Sequence, residues 1–192
     1  MRDDFLLALL VTRHMSHVTQ LRSRSGLLLR VRVECNGWFM KVRSFRCEQW
    51  LPRPREEVFA FFADAANLDA ITPGWLRFRT VTPGPIVMGE NVLIEHRLRL
   101  YGIPIRWRSR INAWEPPSRF VDEQISGPYR LWIHEHIFEI QDGGTLVRDE
   151  IRYAAPFDFI THWFVRRDVE RIFAHRRKML RERFGAVSAM PQ

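Results

Sequence analysis

The sequence predicts an α+β domain in which a curved antiparallel sheet of about seven strands wraps around a long C-terminal helix. Between Phe159 and Phe184, apolar residues recur every three or four positions, as on one side of an amphipathic helix. Upstream of this helix, short segments with alternating polarity are separated by turn residues. The connections are too short for parallel crossovers, so the strands should form hairpins.

A first strand and two short helices are predicted ahead of the hairpins. Two prolines, Pro52 and Pro54, should end the strand because proline cannot donate to a sheet. Acidic residues follow proline at the start of the first helix, and Asn67 is a suitable cap for the second. The predicted bounds are Val42–Leu51 for the strand, with Arg55–Ala63 and Leu68–Ile71 for the helices.

Six further strands should follow as a series of hairpins. Proline and glycine mark the turns between them, as in Pro83-Gly84-Pro85. The last helix should begin at an N-cap, Asp158, and end at Gly185. The predicted strands are Leu76–Val81, Val92–Leu100, Ile105–Trp114, Phe120–Ile125, Leu131–Ile140 and Thr145–Tyr153.

The predicted domain covers residues 40–185. It follows an N-terminal extension, residues 1–39, and precedes a C-terminal tail, residues 186–192. The extension contains one short apolar run after two acidic residues, which is unlike a signal peptide. Because Met40 resembles a natural start, we expect the extension to be poorly ordered or dispensable.

Composition and charge favour some classes of function over others. Apolar residues make up 46% of the chain, which is typical of an ordered globular domain. The two cysteines, Cys35 and Cys47, form no disulfide framework and predict a reducing, cytoplasmic compartment. The net charge of +8 comes from the extension and the last helix, and the sheet region is neutral, so nucleic acid is not an expected partner. The arginine-rich helix face indicates either a solvated surface or transient contact with an anionic membrane.

Alternation within the strands separates two faces of the sheet. One face carries arginine and glutamate at every second position, which is typical of a solvated surface with cross-strand ion pairs. The opposite face is largely apolar and aromatic, and it should be turned toward the last helix. Bulky rings on this inner face either pack solidly or leave a hollow.

The order of elements and several short motifs resemble the SRPBCC superfamily, whose START-like and pollen-allergen-like members share a helix-grip fold. The similarity covers about residues 42–184 and is greatest to bacterial members of the polyketide cyclase/dehydrase type. It implies a deep, largely apolar cavity between the sheet and the last helix. The motifs are Trp50-Leu51-Pro52 before a Glu-Val-Phe helix, Trp114-Glu115-Pro116-Pro117, Gly127-Pro128-Tyr129, and Trp132-x-His134-x-His136-x-Phe138 before Gly143-Gly144-Thr145.

Polar residues on the inner face form the candidate site. His134 and His136 lie two apart on one strand, so both side chains point inward, and Asp122 and Asp149 lie on neighbouring strands. The cluster could be a self-satisfied hydrogen-bonded network or a polar floor that orients a ligand's hydroxyl, carbonyl or carboxylate group. His134, His136 and Asp149 are also the candidate catalytic groups for acid–base chemistry. The expected ligand contacts are His96, Trp107, Ser109, Gln124, Trp132, His134, His136, Phe138, Asp149 and Trp163.

The leading functional prediction is the binding or carriage of a hydrophobic small molecule, such as a lipid, an isoprenoid or a polyketide-like aromatic. One alternative is a cyclase or dehydratase that uses the histidine and aspartate cluster. Another is a membrane-surface module that uses the last helix. No cofactor and no metal are expected, because apart from His-x-His with a carboxylate nothing in the chain has metal-ligand spacing.

Overall fold

The computed structural model describes residues 21–22, 28–29 and 41–185. The chain divides into two compact units, Met1–Met40 and Lys41–Gln192. In the first unit, β1 (Leu21–Arg22) pairs antiparallel with β2 (Leu28–Leu29). The predicted tail, residues 186–192, lies outside the described residues, as does most of the predicted extension.

A seven-stranded sheet forms the framework of the second unit, and every neighbouring pair in it is antiparallel. Its strands are β3 (Arg43–Leu51), β4 (Arg79–Thr80), β5 (Leu93–Leu100), β6 (Ile103–Glu115), β7 (Arg119–Ser126), β8 (Leu131–Gln141) and β9 (Gly144–Ala154). The order across the sheet is β3-β9-β8-β7-β6-β5-β4. Successive strands from β4 to β9 are therefore neighbours, as expected for hairpins.

Over residues 41–185, three α-helices accompany the sheet. They are α1 (Arg55–Phe62), α2 (Asn67–Ala70) and α3 (Asp158–Phe184), and a 3₁₀ turn covers Gly74–Leu76. The two short helices lie between β3 and β4, and the long helix ends the domain. This order confirms the predicted α+β class with its long C-terminal helix.

The first strand predicted after the short helices is mostly absent. Within Leu76–Val81, the strand covers only Arg79–Thr80, and the N–H of Val81 also donates to the carbonyl oxygen of Glu95 on β5 at 2.8 Å. Leu76 belongs to the 3₁₀ turn, and Arg77 adopts the left-handed conformation at φ 45°. The chain therefore bends before it reaches the sheet edge.

Two predicted N-caps are wrong, whereas the predicted C-cap of the last helix is confirmed. Phe157 is the N-cap of α3, at φ 53°, whereas Asp158 accepts two hydrogen bonds from Arg43, at 2.7 and 2.9 Å. This carboxylate ties the helix to β3 instead of capping its own backbone. Gly185 is the C-cap of α3, as predicted, and it adopts the right-handed conformation at φ −79°. Asn67 begins α2, and its side chain donates to the carbonyl oxygen of Phe61 at 3.0 Å.

The helix α3 packs on the sheet along only part of its length. Val169 and Phe173 lie against Trp132 and Tyr153 in one buried cluster. Further along, Leu180 and Phe184 join a second cluster with residues of α1, β7 and β8. Phe164, in contrast, is 54% exposed. The predicted apolar stripe is therefore wrong for the first turns of the helix.

The outer face of the sheet carries the predicted ion pairs. Arg110 contacts Glu123 at 3.2 Å across β6 and β7, and Arg148 contacts Glu139 at 3.0 Å across β9 and β8. These pairs face solvent, where each contributes little to stability. Their position confirms that the alternation in sequence separates an outer from an inner face. None of the helices over residues 41–185 combines the length and apolarity of a membrane-spanning segment.

Candidate functional site

A cavity of about 190 Å³ lies between the inner face of the sheet, the short helices and α3. Most of its wall is apolar, contributed by side chains such as Leu68, Ile94 and Leu98. A dry protein cavity of roughly 150 Å³ is large enough to bind benzene. The interior is therefore hollow, with space for a molecule of one or two rings.

Several of the predicted ligand contacts line this cavity, and they come from three strands. Alternation places them on the same side of β5, β6 and β8, so the sheet brings together residues that are distant in sequence. They are His96, Trp107, Ser109, Trp132, His134 and His136.

The remaining predicted contacts do not line the cavity. The Gln124 side chain donates to the backbone carbonyl of Tyr129 at 2.7 Å, which fixes the β7–β8 turn. Phe138 is fully buried among the aromatic rings around α1. Asp149 lies behind the two histidines, and Trp163 is 67% exposed on the first turns of α3. The alternation correctly predicted that Phe138 lies in the interior. At that end, however, packed side chains fill the interior and leave no cavity beside Phe138.

The two histidines lie between two carboxylates, which is the arrangement expected for the predicted hydrogen-bonded network. The register pairs Asp122 with His134 and Asp149 with His136 across neighbouring strands. On one side, Oδ1 of Asp149 is 2.8 Å from Nε2 of His134 and 3.1 Å from Nδ1 of His136. On the other, Oδ2 of Asp122 is 3.2 Å from Nε2 of His136 and 3.6 Å from Nδ1 of His134. The imidazole rings lie 3.7 Å apart, centroid to centroid.

This arrangement shifts the pKa values of the two imidazoles in opposite directions. Burial and the neighbouring His136 lower the pKa of His134 to about 4. Burial also acts to lower the pKa of His136, but its hydrogen bond with Asp122 and the nearby carboxylate of Asp149 outweigh burial and raise that pKa. Burial acts to raise the pKa of Asp149, yet its hydrogen bond with His134 and the nearby ring of His136 hold it well below the usual range. Of the two imidazoles, His136 is therefore the one whose protonation the neighbouring carboxylates favour.

Arg176 is a site residue that sequence reasoning missed. The sequence pattern assigns Arg176 to the arginine-rich face of the last helix, but it is 7% exposed and lines the cavity. Its Nη1 atom lies 3.6 Å from Oδ1 of Asp149, and its guanidinium lies over the ring of Phe173. The Nε and Nη1 atoms have no hydrogen-bond partner among the described residues. The available signal was its spacing, since it follows Val169 and Phe173 on the buried side of α3.

Together these residues form a buried cluster of ionisable groups. Asp122 and Asp149 lie beside the two imidazoles, and Arg176 supplies a positive charge near Asp149. Buried charges are tolerated when they are paired in this way. The cavity therefore has an apolar wall and one polar end.

Tyr129 was also missed as a cavity residue. It follows the β7–β8 turn and lies between two predicted contacts, with ring centroids 5.7 Å from Trp107 and 4.8 Å from Trp132. Burial raises the pKa of its hydroxyl above the ordinary value. Its placement depends on the hydrogen bonds from Gln124, which local sequence patterns do not reveal.

Solved structures share this architecture. The protein TTHA0849 from Thermus thermophilus is 19% identical, with a TM-score of 0.59 over 77% of this chain and 100% of that one. Ginseng major latex-like protein 151 from Panax ginseng is 9% identical, with a TM-score of 0.56 over 74% and 97%. Ara h 8.0201 is 16% identical, with a TM-score of 0.53 over 73% and 98%. At these identities the similarity shows the fold alone, which is a helix-grip fold.

Within that fold class, the sequence defines a particular family. Residues 74–184 match the family described as a domain of unknown function, DUF8410, and the chain belongs to it. The match runs from the 3₁₀ turn to the end of α3, so it includes every strand that lines the cavity. A search of curated proteins found no match.

Proposed function

We propose that the chain binds a small hydrophobic molecule that carries an oxygen-containing polar group. The observation that supports this proposal is the cavity itself, which is hollow, mostly apolar and polar at one end. Small-molecule sites commonly combine an apolar wall with a few convergent polar groups. The fold shared with other helix-grip proteins is compatible with such a role.

The polar groups at the end of the cavity suggest how a ligand would be oriented. An ionised Asp122 can accept a hydrogen bond from a hydroxyl group, and protonated His136 can donate to a carbonyl or hydroxyl oxygen. Arg176 adds donors on the same side. The apolar part of the ligand would then lie against Leu98, Trp107 and Trp132.

Two probes of similar shape test this proposal, naphthalene and 2-naphthol. Quenching of tryptophan fluorescence can report binding, because Trp107 and Trp132 line the cavity. Both probes should bind, and 2-naphthol should bind several-fold more tightly because its hydroxyl can reach the polar end. Bound probe should also raise the melting temperature.

A matched pair of substitutions on β5 distinguishes cavity binding from surface binding. Leu98 points into the cavity, whereas Leu93 on the same strand is 48% exposed. Leu98→Trp should fill the space and weaken both probes at least 10-fold, and Leu93→Trp should leave binding unchanged. Equal effects of the two substitutions, or no binding to the unaltered chain, would refute the proposal.

A second candidate function is acid–base catalysis of a cyclisation or dehydration. It is favoured by His136, which lines the cavity and lies between two carboxylates that raise its pKa. With a polyketide-like substrate, His134→Ala or Asp149→Asn should abolish turnover while circular dichroism shows a folded protein. Unchanged turnover would remove these residues from the mechanism.

A third candidate function is transient contact with an anionic membrane. The first turns of α3 expose Phe159, Trp163 and Phe164, which lie close in sequence to Arg166 and Arg167. Binding to vesicles that contain phosphatidylglycerol should fall as salt rises and should weaken in Trp163→Ser. Val87→Ser, which removes an exposed apolar side chain outside α3, is the control. Binding that salt does not reduce would argue against this candidate.

A further inference from the structure

We infer that Asp122, His134 and His136 form a binding site for a divalent transition-metal ion, with Zn²⁺ as its simplest probe. The site lies at the polar end of the cavity, where all three side chains contribute to the lining. This inference goes beyond the binding of a small hydrophobic molecule and does not depend on it.

The distances from the Asp122 carboxylate to the two histidine nitrogens fit a tetrahedral ion. Oδ2 of Asp122 lies 3.2 Å from Nε2 of His136 and 3.6 Å from Nδ1 of His134, and all three atoms lie within 4.8 Å of one another. Zinc binds imidazole nitrogen and carboxylate oxygen at about 2.0–2.2 Å, which places neighbouring ligand atoms of a tetrahedron about 3.4 Å apart. An ion between the three atoms would therefore need little movement of the strands.

A second carboxylate lies where metal sites commonly place one. Each imidazole has its other ring nitrogen near Oδ1 of Asp149, at 2.8 Å for His134 and 3.1 Å for His136. Histidine ligands usually direct the nitrogen that does not bind the metal toward a carboxylate, which fixes the tautomer and the ring orientation. Asp149 is thus placed to hold both rings so that their remaining nitrogens face Asp122.

The rest of the environment leaves the metal one free position. With three protein ligands, the fourth position would face the cavity, where water or the polar group of a ligand could bind. Arg176 is the nearby cation that opposes a metal, but it lies on the Asp149 side of the cluster, 3.6 Å from that carboxylate. Two nitrogen ligands and one oxygen ligand favour Zn²⁺ or Fe²⁺ over Mg²⁺ and Ca²⁺, which prefer oxygen.

Metal binding can be measured directly on the full-length chain. After treatment with a chelator, titration calorimetry with ZnCl₂ should give one site per chain. Co²⁺ should produce visible absorption bands of the intensity expected for a tetrahedral ion, and Zn²⁺ should displace it. Mg²⁺ should not compete.

Substitutions assign the site. Asp122→Asn and His134→Gln should each weaken Zn²⁺ binding more than 10-fold, and Asp149→Asn should weaken it by about 10–100-fold through the loss of ring orientation. His175→Gln, on α3 and outside the cluster, is the matched control and should bind normally. A variant with His14→Gln, His17→Gln and Cys35→Ser removes the imidazole and thiol donors of residues 1–39 and should also bind normally.

The possible results separate this inference from the proposed function. If the wild-type chain gives no stoichiometric binding, or if the Asp122→Asn and His134→Gln variants bind normally while folded, the inference is wrong. The inference would also be wrong if Zn²⁺ binding were lost only in the variant substituted at His14, His17 and Cys35. In each of these cases, binding of 2-naphthol can still be measured and stands or falls on its own.

Discussion

The guanidinium of Arg176 on α3 lies 3.6 Å from the carboxylate of Asp149 on β9, and both side chains are buried. This ion pair connects the long helix to the histidine pair, because Asp149 also contacts both imidazoles. The helix therefore contributes charge to the site as well as covering it.

Removal of Arg176 should destabilise the fold. Arg176→Met preserves much of the side-chain volume but leaves Asp149 without its cation, so the free energy of unfolding should fall by about 1–3 kcal/mol. Arg181→Met, on an exposed position of the same helix, should change it by less than about 0.5 kcal/mol. Urea denaturation measures both values, and equal values would show that the buried pair does not contribute.

Protonation of His96 should destabilise the fold in mild acid. Burial lowers the pKa of His96 to about 4, because its effect outweighs the opposing charges of Asp122 and Asp69. The ring lies beside Thr80 and Phe78. Because the unfolded chain binds this proton near pH 6.5, stability should be full above that pH and fall between about 6.5 and 4. A shift of this size corresponds to about 3 kcal/mol.

The variant His96→Gln isolates this contribution from the other titrating groups. Between pH 6.5 and 4, its free energy of unfolding should fall less steeply than that of the wild type. Parallel curves for the two proteins would show that His96 is not the group responsible.

Gly144 should tolerate no side chain, because β9 approaches β3 closely at this point. A Cβ atom there would clash with the backbone oxygen of Leu51 and would lie 2.8 Å from the ring of Trp50. Gly144→Ala should lower the free energy of unfolding by about 1–3 kcal/mol. Gly89→Ala, where a Cβ atom meets nothing within 4 Å, should be neutral or slightly stabilising. Thermal unfolding of the two variants would contradict this prediction if their melting temperatures matched.

Cys47 should react slowly with thiol reagents in the folded protein. Burial and the charge of Asp149 raise its pKa to about 12, so little thiolate exists near neutral pH. In a Cys35→Ser background, its reaction with Ellman's reagent at pH 8 should be at least about 100-fold slower than in urea. A native rate within 10-fold of the unfolded rate would contradict the assigned environment.

Much of the sheet could be predicted because its signals are local. Alternation and turn residues located β5 to β9 to within a few residues, and the same alternation placed His134 and His136 on the inner face. The errors occur where a tertiary contact overrides a local preference. Asp158 is a residue type that commonly caps helices, but its carboxylate binds the side chain of Arg43. Trp163 continues the apolar pattern of the helix, but none of the described residues buries it.

The sequence by itself determined the class of fold and the residues that face inward, because helix and strand periods depend on neighbouring positions along the chain. Only the tertiary structure decided that the interior is hollow at one end and solid at the other, since packing depends on side chains from distant segments. It alone placed Asp122 against both histidines and turned Arg176 into the cavity. These contacts arise from strand register and helix rotation, which join residues that no local pattern relates.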